Sequence, residues 1–455
     1  MSSDPDLPTE NETVVVPPWR DRKRYLWLLG LLIPALVTLS WAVVQATGLA
    51  VFWWSGPILM FAIIPAVDYI VGSDSDNPPD GALAWLQKDR FYRWATYLYL
   101  PAQYMSLVLA CWVWSDGAGI QANIVDKLGL MLTVGGIGGI AINTAHELGH
   151  TRAQVEKWLS KIALAQTCYG HFFVEHNRGH HVRVATGDDP ASARMGDSLY
   201  SFVARSVVGG LRSAWSLEQR RFRCRGESAW SFKNDVLNAW LMSVALFALL
   251  IVWFGVGVAP WLVGQAIIGF CMLETVNYIE HYGLRRQKQL DGRYEPVRPS
   301  HSWNSDTVIA NVFLFHLQRH SDHHAHPLRR YQALCHADEA PQLPAGYATM
   351  MVLAIFPPLW RRVIDSRVLD HYRGDIRLAA LSPRHEKRLL KRYLQRDVRG
   401  RSESRNGFRQ PVIDQATRLH RRVNEPSDGP GARHHRITLC CKRRRGRQAI
   451  ASSQT

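Results

Sequence analysis

Six apolar stretches, each near the length of a membrane span, constrain this chain most strongly. A helix needs about 20 apolar residues to cross a bilayer. Inside the bilayer every backbone N–H and C=O must be bonded internally, so long apolar runs of this kind become helices. The first two stretches are separated only by Ala46-Thr47-Gly48 and should form a helical hairpin. The sequence therefore predicts an all-α protein with six transmembrane helices, at Tyr25–Gln45, Leu49–Val71, Trp94–Trp114, Leu128–Ala145, Val236–Val258 and Trp261–Ile279.

The positive charge of the chain is concentrated behind the last apolar stretch. Residues 384–455 hold 20 Lys and Arg against 6 Asp and Glu, whereas the whole chain carries a net charge of +16. The body is therefore almost neutral, and nothing in it indicates a nucleic-acid partner. An arginine-rich, apolar-poor tail is typical of disorder and can attract anionic lipid headgroups. We expect three parts: a polar N-terminus (1–24), a membrane domain (25–383) and a basic, disordered tail (384–455).

Basic residues between the apolar stretches predict the orientation in the membrane. Cytosolic loops carry an excess of Lys and Arg. One set of connections is basic, beginning with Arg20–Arg24 and ending with Arg285 and Arg286, while Lys127 is the only base on the opposite side. Seven scattered cysteines without a C-x-x-C pair also fit a reducing compartment. We therefore expect a multi-pass protein of the inner (cytoplasmic) membrane with both termini in the cytosol.

Three dense histidine clusters lie on the predicted cytosolic side. One places two imidazoles at positions i and i+4, and the others place three within five or six residues. Imidazole is the commonest protein metal ligand, and eight clustered histidines exceed the needs of one four-coordinate ion. His281, at the end of the sixth apolar stretch, lies at the same depth and is a ninth candidate. The clusters are His146 and His150; His176, His180 and His181; and His320, His323 and His324.

Other readings of these residues were weighed. His146-Glu147-Leu148-Gly149-His150 matches the zinc-protease pattern, but that chemistry leaves two clusters unexplained. A metal transporter should hold its ligands near mid-membrane, not at one face. Six isolated histidines are expected to be hydrogen-bonded or exposed, not ligands. They are His171, His301, His316, His326, His336 and His385.

Three acidic residues in or beside the apolar stretches need an explanation, because ionisable groups there are costly and usually functional. Glu274 lies two helical turns before His281, on the same face, and Glu280 directly precedes it. A carboxylate often receives the second N–H of a ligand imidazole. We predict that Glu280 and Glu274 support the ligands from outside, whereas Asp68 is either functional or hydrated at the interface.

The histidine motifs resemble those of the integral-membrane alkane 1-monooxygenases, within the membrane desaturase and hydroxylase superfamily. The resemblance rests on four stretches in the same order and extends over roughly Tyr25 to Asp370. Thr151, where the family usually has Lys, departs from the pattern outside the ligand positions. The four stretches are His146–His150, Glu175–His181, Asn277–Gly283 and Leu317–Ala325.

The resemblance implies a cytosolic-side diiron site and the terminal hydroxylation of medium-chain n-alkanes with dioxygen. It implies two non-haem iron ions and no organic cofactor bound by the chain. An alkane has no polar group, so its recognition depends on the burial of its apolar surface. Trp53, Trp54, Met60 and Phe61 are candidates for blocking the substrate channel and so limiting the length of the alkane. The implied iron ligands are His146, His150, His176, His180, His181, His281, His320, His323 and His324.

The two electrons for this reaction must come from outside the chain. An iron–sulfur or rubredoxin module needs four clustered thiolates, and no G-x-G-x-x-G follows a strand. The resemblance implies rubredoxin, reduced by its own reductase, and an acidic carrier would be steered by a basic rim. The residues predicted for that rim are Arg178, Arg183, Arg319, Arg329 and Arg330.

Two related activities remain open at this point. One is a fatty-acyl desaturase, although that class is expected to have H-x-x-H-H in the second cluster, where this chain has His176-x-x-x-His180-His181. The other is a hydroxylase of alkyl aromatics or ethers. Both would use the same histidine-rich, membrane-bound chemistry.

Overall fold

The computed structural model describes residues 19–117, 119 and 122–394, and these fold into helices. In the described ranges no β-sheet is present, and extended segments meet only at isolated bridges such as Ser73 with Thr307. The main helices are α1 (Leu26–Thr47), α2 (Ala50–Val71), α3 (Asp80–Lys88), α4 (Phe91–Trp114), α5 (Ile124–Gly149), α6 (Gln154–Ala165), α7 (172–183), α8 (Leu199–Arg223), α9 (Asp235–Phe254), α10 (Val256–His281), α11 (Val308–Phe313), α12 (His320–Ala325), α13 (Tyr347–Ala354), α14 (Pro357–His371) and α15 (386–394).

Five helices are long and apolar enough to cross a membrane: α1, α2, α5, α9 and α10. They coincide with five of the six predicted spans, so the prediction of an all-α membrane protein is confirmed. The turn between α1 and α2 is made by Gly48, which ends α1 at a φ of 73° and donates its N–H to Val44 O. That left-handed conformation costs glycine nothing, so a very short connection can join the two helices.

The third predicted span forms helix α4, but α4 is not among the five membrane-type helices. Its 24 residues would extend about 36 Å, which is long enough to cross a bilayer. The difference lies in composition, since α4 carries Arg93, Gln103 and four tyrosines among its apolar residues. A sixth span therefore stays a prediction.

Helices α5 and α10 pack against each other through glycines. A Cβ on Gly269 of α10 would lie 3.2 Å from Gly135 O and 3.3 Å from Gly139 N of α5, and 2.7 Å from Thr167 Cγ2. The obstructing atoms are largely backbone, which cannot move aside like the end of a flexible side chain. Small residues at such a crossing let two backbones approach closely in lipid, so the C-terminal ends of α5 and α10 are held side by side.

The polar elements gather around those two ends. Helices α6, α7 and α8 follow α5 in the chain, and α12, α13 and α14 follow α10. A second core joins α8, the end of α10, α13 and α14 around the buried side chains of Tyr278, Trp303 and Trp360. This arrangement encloses the ends of α5 and α10 in protein instead of leaving them in solvent.

The described chain continues past residue 383, where the charge pattern begins the tail. Residues 386–394 are helical, and Leu389 and Tyr393 are buried against the second core. Tyr393 also donates a hydrogen bond to Asp365 Oδ2 at 3.2 Å. The predicted disorder of 395–455, and the predicted polar segment over residues 1–18, lie outside the described residues.

We predict that Gly269→Val destabilises the protein, whereas Gly257→Val does not. A side chain at Gly269 meets backbone atoms of α5, and overpacking of this kind typically costs about 1–3 kcal/mol. Nothing lies within 4 Å of a Cβ at Gly257, near the start of α10. Thermal unfolding of the detergent-solubilised variants measures the difference. Equal melting temperatures would show that the α5–α10 crossing can relax.

Candidate metal centre

The first histidine motif lies at the end of α5. His146 and His150 are separated by four residues, about one helical turn, so that both rings lie on one face. His150 is the residue at which α5 ends, and His281 is the last residue of α10. The glycine-mediated packing of α5 on α10 thus fixes the distance between these motifs.

The second motif is carried by a π-helix, which the sequence did not predict. Residues Glu175–His180 have π-helical hydrogen bonding, in which i and i+5 lie above each other. As a result His176 and His181 place their Nε2 atoms 3.0 Å apart. His180 faces the other way, with its Nε2 3.2 Å from His324 Nε2. The wider turn therefore divides three neighbouring histidines between two groups.

The third motif is the short helix α12, held from both sides. Phe315 and His316 precede it with φ angles of 50° and 54°, a conformation that is costly for residues other than glycine. Asp322, in the middle of α12, accepts hydrogen bonds from Arg329 at 2.7–2.8 Å and from the Cys335 N–H at 2.9 Å. These contacts fix a helix of six residues that is too short to be stable alone.

The nine histidines form two adjacent groups with converging Nε2 atoms. In each group the potential ligand atoms all lie within 4.8 Å of one another. In the first group His323 Nε2 lies 2.9 Å from His146 Nε2 and 3.1 Å from His181 Nε2. The five-histidine group is His146, His150, His176, His181 and His323, and the four-histidine group is His180, His281, His320 and His324.

Burial opposes the protonation of six of these rings. Burial, with the neighbouring imidazoles, lowers the pKa of His150 to about 3. It moves the pKa of five other rings well below the usual range for histidine; they are His176, His181, His320, His323 and His324. A neutral imidazole keeps a lone pair, the form in which it binds iron, zinc or copper.

The contacts between these nitrogens favour a bound cation. A neutral ring has one N–H and one lone pair, so the facing Nε2 atoms cannot all be satisfied by one another. In the described part of the chain His150 Nε2 is buried and has no hydrogen-bond partner. An unpaired buried polar atom is costly, whereas one metal ion in each group would engage these lone pairs. The donor set therefore fits a metal site.

Asp189 supports this site, and the sequence analysis missed it. Its Oδ2 lies 2.9 Å from His180 Nδ1, the nitrogen away from the group, and accepts a 2.6 Å hydrogen bond from Ser192 Oγ. Burial alone would raise the pKa of Asp189, but His180 and the hydrogen bonds lower it to about 2. A carboxylate on the outer nitrogen fixes the ring orientation and raises ligand basicity. No fixed spacing connects such a residue to its histidine, so no sequence signal was available.

The two predicted carboxylates have different surroundings. Glu280 is buried, with Oε2 3.2 Å from His320 Nε2, the nitrogen that faces the group. Glu274 accepts a 2.6 Å hydrogen bond from the hydroxyl of Tyr169, and lines a small cavity with His176 and His180. Glu280 thus contacts His320 directly, whereas the hydrogen bond of Glu274 is with Tyr169, outside the two histidine groups.

The remaining acidic and histidine predictions are placed elsewhere. Asp68 Oδ1 accepts hydrogen bonds from the N–H groups of Ile309 and Ala310 at 2.9 and 3.1 Å, so it anchors the start of α11. Among the described residues the two groups include none of the six isolated histidines, which are His171, His301, His316, His326, His336 and His385.

Comparison with known proteins identifies the family. The family model for fatty acid desaturases matches residues 122–354. The alkane 1-monooxygenase of Acinetobacter baylyi is 43% identical over 82% of this chain and 91% of its own length. Alkane 1-monooxygenase 1 of Alcanivorax borkumensis is 42% identical over 84% of this chain and 93% of its own length.

A more distant relative is the xylene/toluene monooxygenase hydroxylase component XylM of Pseudomonas putida, 27% identical over 59% of this chain and 71% of its own length. The two alkane 1-monooxygenases are more similar to this chain than XylM is. Their matches extend over nearly the full length of those enzymes and include the region of this chain that carries all nine histidines. The chain therefore belongs to the alkane 1-monooxygenase family, within the membrane desaturases and hydroxylases.

Proposed function

We propose that the protein hydroxylates the terminal carbon of medium-chain n-alkanes to give 1-alkanols. In balance, the alkane, dioxygen, two electrons and two protons give the alkanol and one water. The observation that carries the proposal is the pair of adjacent, buried imidazole groups in a membrane protein of this family. An unactivated C–H bond is beyond acid–base side chains, so the oxidising power must come from a bound metal.

The proposed cofactor is a pair of non-haem iron ions. The five-histidine group would hold one ion and the four-histidine group the other. When bound, iron supplies dioxygen activation. The protein's own contribution is to fix the imidazoles: Asp189 orients His180, Arg329 holds Asp322 and thereby α12, and the second core keeps bulk water away.

An apolar pocket offers a place for the alkane chain. A cavity of about 240 Å³ lies between α2, α5, α10 and α13 and is lined by Met60, Phe61, Gly136 and Met272. Gly136 is ten residues before His146, roughly 15 Å along α5. Each buried CH₂ contributes about 0.8 kcal/mol. Trp53 is fully buried and Trp54 packs on Gly129, so Met60 and Phe61 remain as candidates for limiting chain length.

A basic bay offers a docking place for the electron donor. This cavity of about 820 Å³ reaches His150 and His181, the two group members that are not fully buried. The bay is lined by six basic residues and by one carboxylate, that of Asp235. The basic residues are Lys157, Lys161, Arg178, Arg221, Arg225 and Lys233. An acidic carrier such as rubredoxin, reduced by its reductase, would meet opposite charge beside the metal site.

Of the five arginines of the rim predicted from sequence, only Arg178 lines this bay. Arg319 is buried and contacts Asp306, so it is not at a rim. The other four are engaged in ion pairs: Arg178 with Glu218, Arg183 with Glu175, Arg329 with Asp322, and Arg330 with Glu156. In the described chain Lys157, Arg225 and Lys233 form no ion pair, which leaves their charges available to a partner.

The proposal extends to location and organisation. The bases of the bay lie on the histidine side, as the positive-inside rule predicts for a cytosolic face. We expect residence in the inner membrane, contact with its lipids, and both termini and the active site in the cytosol. The membrane domain would span 25–383 with α15 packed on it, followed by the basic tail.

One alternative has support from a specific observation. The similarity to XylM, named as a xylene/toluene hydroxylase component, keeps alkyl aromatics open as substrates. A fatty-acyl desaturase is favoured only by the breadth of the matching family model. The same assay of products separates these activities.

The first expected result concerns metal. Purified protein should hold two irons per chain, and Asp189→Asn should weaken iron retention about 10–100-fold, because His180 loses the carboxylate on its outer nitrogen. His324→Ala should remove a ligand and lose iron outright. Metal analysis during chelator challenge measures both effects.

Two controls accompany that measurement. Asp197→Asn removes a carboxylate that pairs with Arg205, and His385→Ala removes a histidine outside both groups. Both should retain iron as the wild type does. Fully active protein with stoichiometric zinc and no iron would contradict the proposed cofactor.

The second expected result concerns product. With dioxygen, reductase, rubredoxin and NADH, the protein should convert octane or dodecane to the 1-alkanol. Parallel assays with xylene and a fatty-acyl substrate should give much less product, because the alkane 1-monooxygenases are the more similar relatives and the pocket at Met60 is lined almost entirely by apolar side chains. Gas chromatography with mass detection identifies the products. A desaturated acyl chain as the main product would overturn the proposal.

The third expected result concerns the donor. Combining Lys157→Glu, Arg225→Glu and Lys233→Glu should slow rubredoxin oxidation about tenfold or more at low salt, since charge steering contributes about 10–10³ to association rates. The dependence on ionic strength should flatten as well. Stopped-flow kinetics measures the second-order rate constant. Arg293→Glu, an exposed change outside the bay, is the control, and equal rates for both variants would exclude the bay as the docking place.

A further inference from the structure

A small cavity lies beside the two histidine groups and is lined by His176 and His180. Its volume is about 20 Å³, and a single water needs about 10–15 Å³ on the same measure. It lies between α7, α8 and α10 and the loop before α7. Its polar lining is Tyr169, His171, Glu175, Ser206, Glu274 and Asn277. The cavity therefore has room for one water molecule and the polar groups to bind it.

Three buried atoms around this cavity lack a hydrogen bond within the described residues: His171 Nε2, Glu175 Oε2 and Glu274 Oε2. The other oxygen of each carboxylate is engaged. Arg183 donates to Glu175 Oε1 at 2.7 Å, and Tyr169 donates to Glu274 Oε1 at 2.6 Å. Buried polar atoms are normally satisfied, so three unsatisfied atoms around one cavity indicate a missing partner.

One water molecule would supply the hydrogen bonds that these three atoms lack. It can donate one hydrogen to each carboxylate oxygen and accept one from His171 Nε2–H, which is the usual number of bonds for a buried water. Burial lowers the pKa of His171 to about 4, so the ring is neutral near pH 7 and its Nε2 can carry the hydrogen. The sequence analysis assigned His171 no role beyond hydrogen bonding or exposure.

The position of the cavity connects the metal centre with the polar side of the protein. His176 and His180 line it, and they come from the five- and the four-histidine group respectively. On the other side Glu175 is held by Arg183, which also contacts Ser213 and is partly exposed. The apolar pocket at Met60 contains no comparable chain of polar groups.

The hydroxylation consumes two protons per turnover, because one oxygen atom enters the alkanol and the other leaves as water. A buried, water-poor site needs a defined route for them. We propose that an ordered water in this cavity, together with His171 and Glu274, forms the route by which protons reach the metal centre. This inference rests on the proposed function. Glu175 serves as a fixed acceptor that positions the water, and Tyr169 positions Glu274.

Glu274→Gln tests the route, because glutamine keeps the shape and the contact with Tyr169 but does not pass on a proton readily. The variant should retain both irons and a normal melting temperature. Its turnover should fall about 100-fold, in the range of lost proton-transfer groups. More hydrogen peroxide should be released per NADH, and the solvent deuterium isotope effect should increase. Glu274→Asp should recover part of the rate and coupling.

The matched control is Asp365→Asn. Asp365 is also a buried carboxylate that accepts from a tyrosine hydroxyl, Tyr282 at 2.9 Å, but it does not line the cavity. The Asp365→Asn variant should have the same solvent deuterium isotope effect as the wild type and release the same amount of hydrogen peroxide per NADH. If Glu274→Gln and His171→Asn both keep wild-type coupling and isotope effect while the wild type makes alkanol, the route is refuted and the proposed function stands. If the wild type makes no alkanol, the proposed function fails.

The water itself can be observed independently of turnover. A high-resolution map of the iron-loaded wild type should show density within hydrogen-bond distance of His171 Nε2, Glu175 Oε2 and Glu274 Oε2. The Glu274→Gln difference infrared spectrum should contain a carboxyl band that shifts in D₂O. An empty cavity in that map would overturn the proposal.

Discussion

Everything in this structure depends on bringing nine imidazoles together in a confined space. Their Nε2 atoms approach one another to about 3 Å, where lone pairs facing lone pairs are unfavourable unless a cation lies between them. Burial lowers the pKa of six of these rings, which opposes their protonation and so their mutual charge repulsion. The same burial makes every unpaired nitrogen costly. A bound metal ion would therefore contribute to the stability of this region as well as to its chemistry.

The membrane helices provide the rigidity that such a cluster needs. Because glycines let the backbones of α5 and α10 approach closely, His146 and His281 stand at fixed positions at neighbouring helix ends. The other ligands lie on short elements that could not hold themselves, α7 and α12. Those elements are tied down by ion pairs, as Arg329 holds Asp322 and Arg183 holds Glu175.

Periodic and compositional features could be predicted from sequence, and features that depend on tertiary packing could not. Apolar length located five membrane-type helices. Histidine spacing selected eight members of the two groups, and the position of His281 at the end of the sixth apolar stretch added the ninth. Ordinary helical periodicity missed the π-turn at Glu175–His180, which decides the group of His180. Asp189 was missed because its partner is set by folding. Of the five arginines predicted for a basic rim, Arg319 is buried and the other four are ion-paired, which charge alone does not reveal. Residues 386–394 look like tail by charge, yet Leu389 anchors them to the body.

The two histidine groups have an apolar pocket, a basic bay and a polar cavity on different sides. This arrangement suits a reaction that needs an alkane, electrons and protons. An alkane needs an apolar path, and the pocket at Met60 and Gly136 opens between membrane helices. An electron donor must come close to the histidine groups, and His150 and His181 are accessible from the basic bay. Protons need polar groups in hydrogen-bond contact, and these occur at His171 and Glu274. Placing all three inputs on one side would bring water and charge to the alkane. Separating them around α5, α7 and α10 would keep the reacting carbon in an apolar environment while the histidine groups stay connected to the polar elements of the protein.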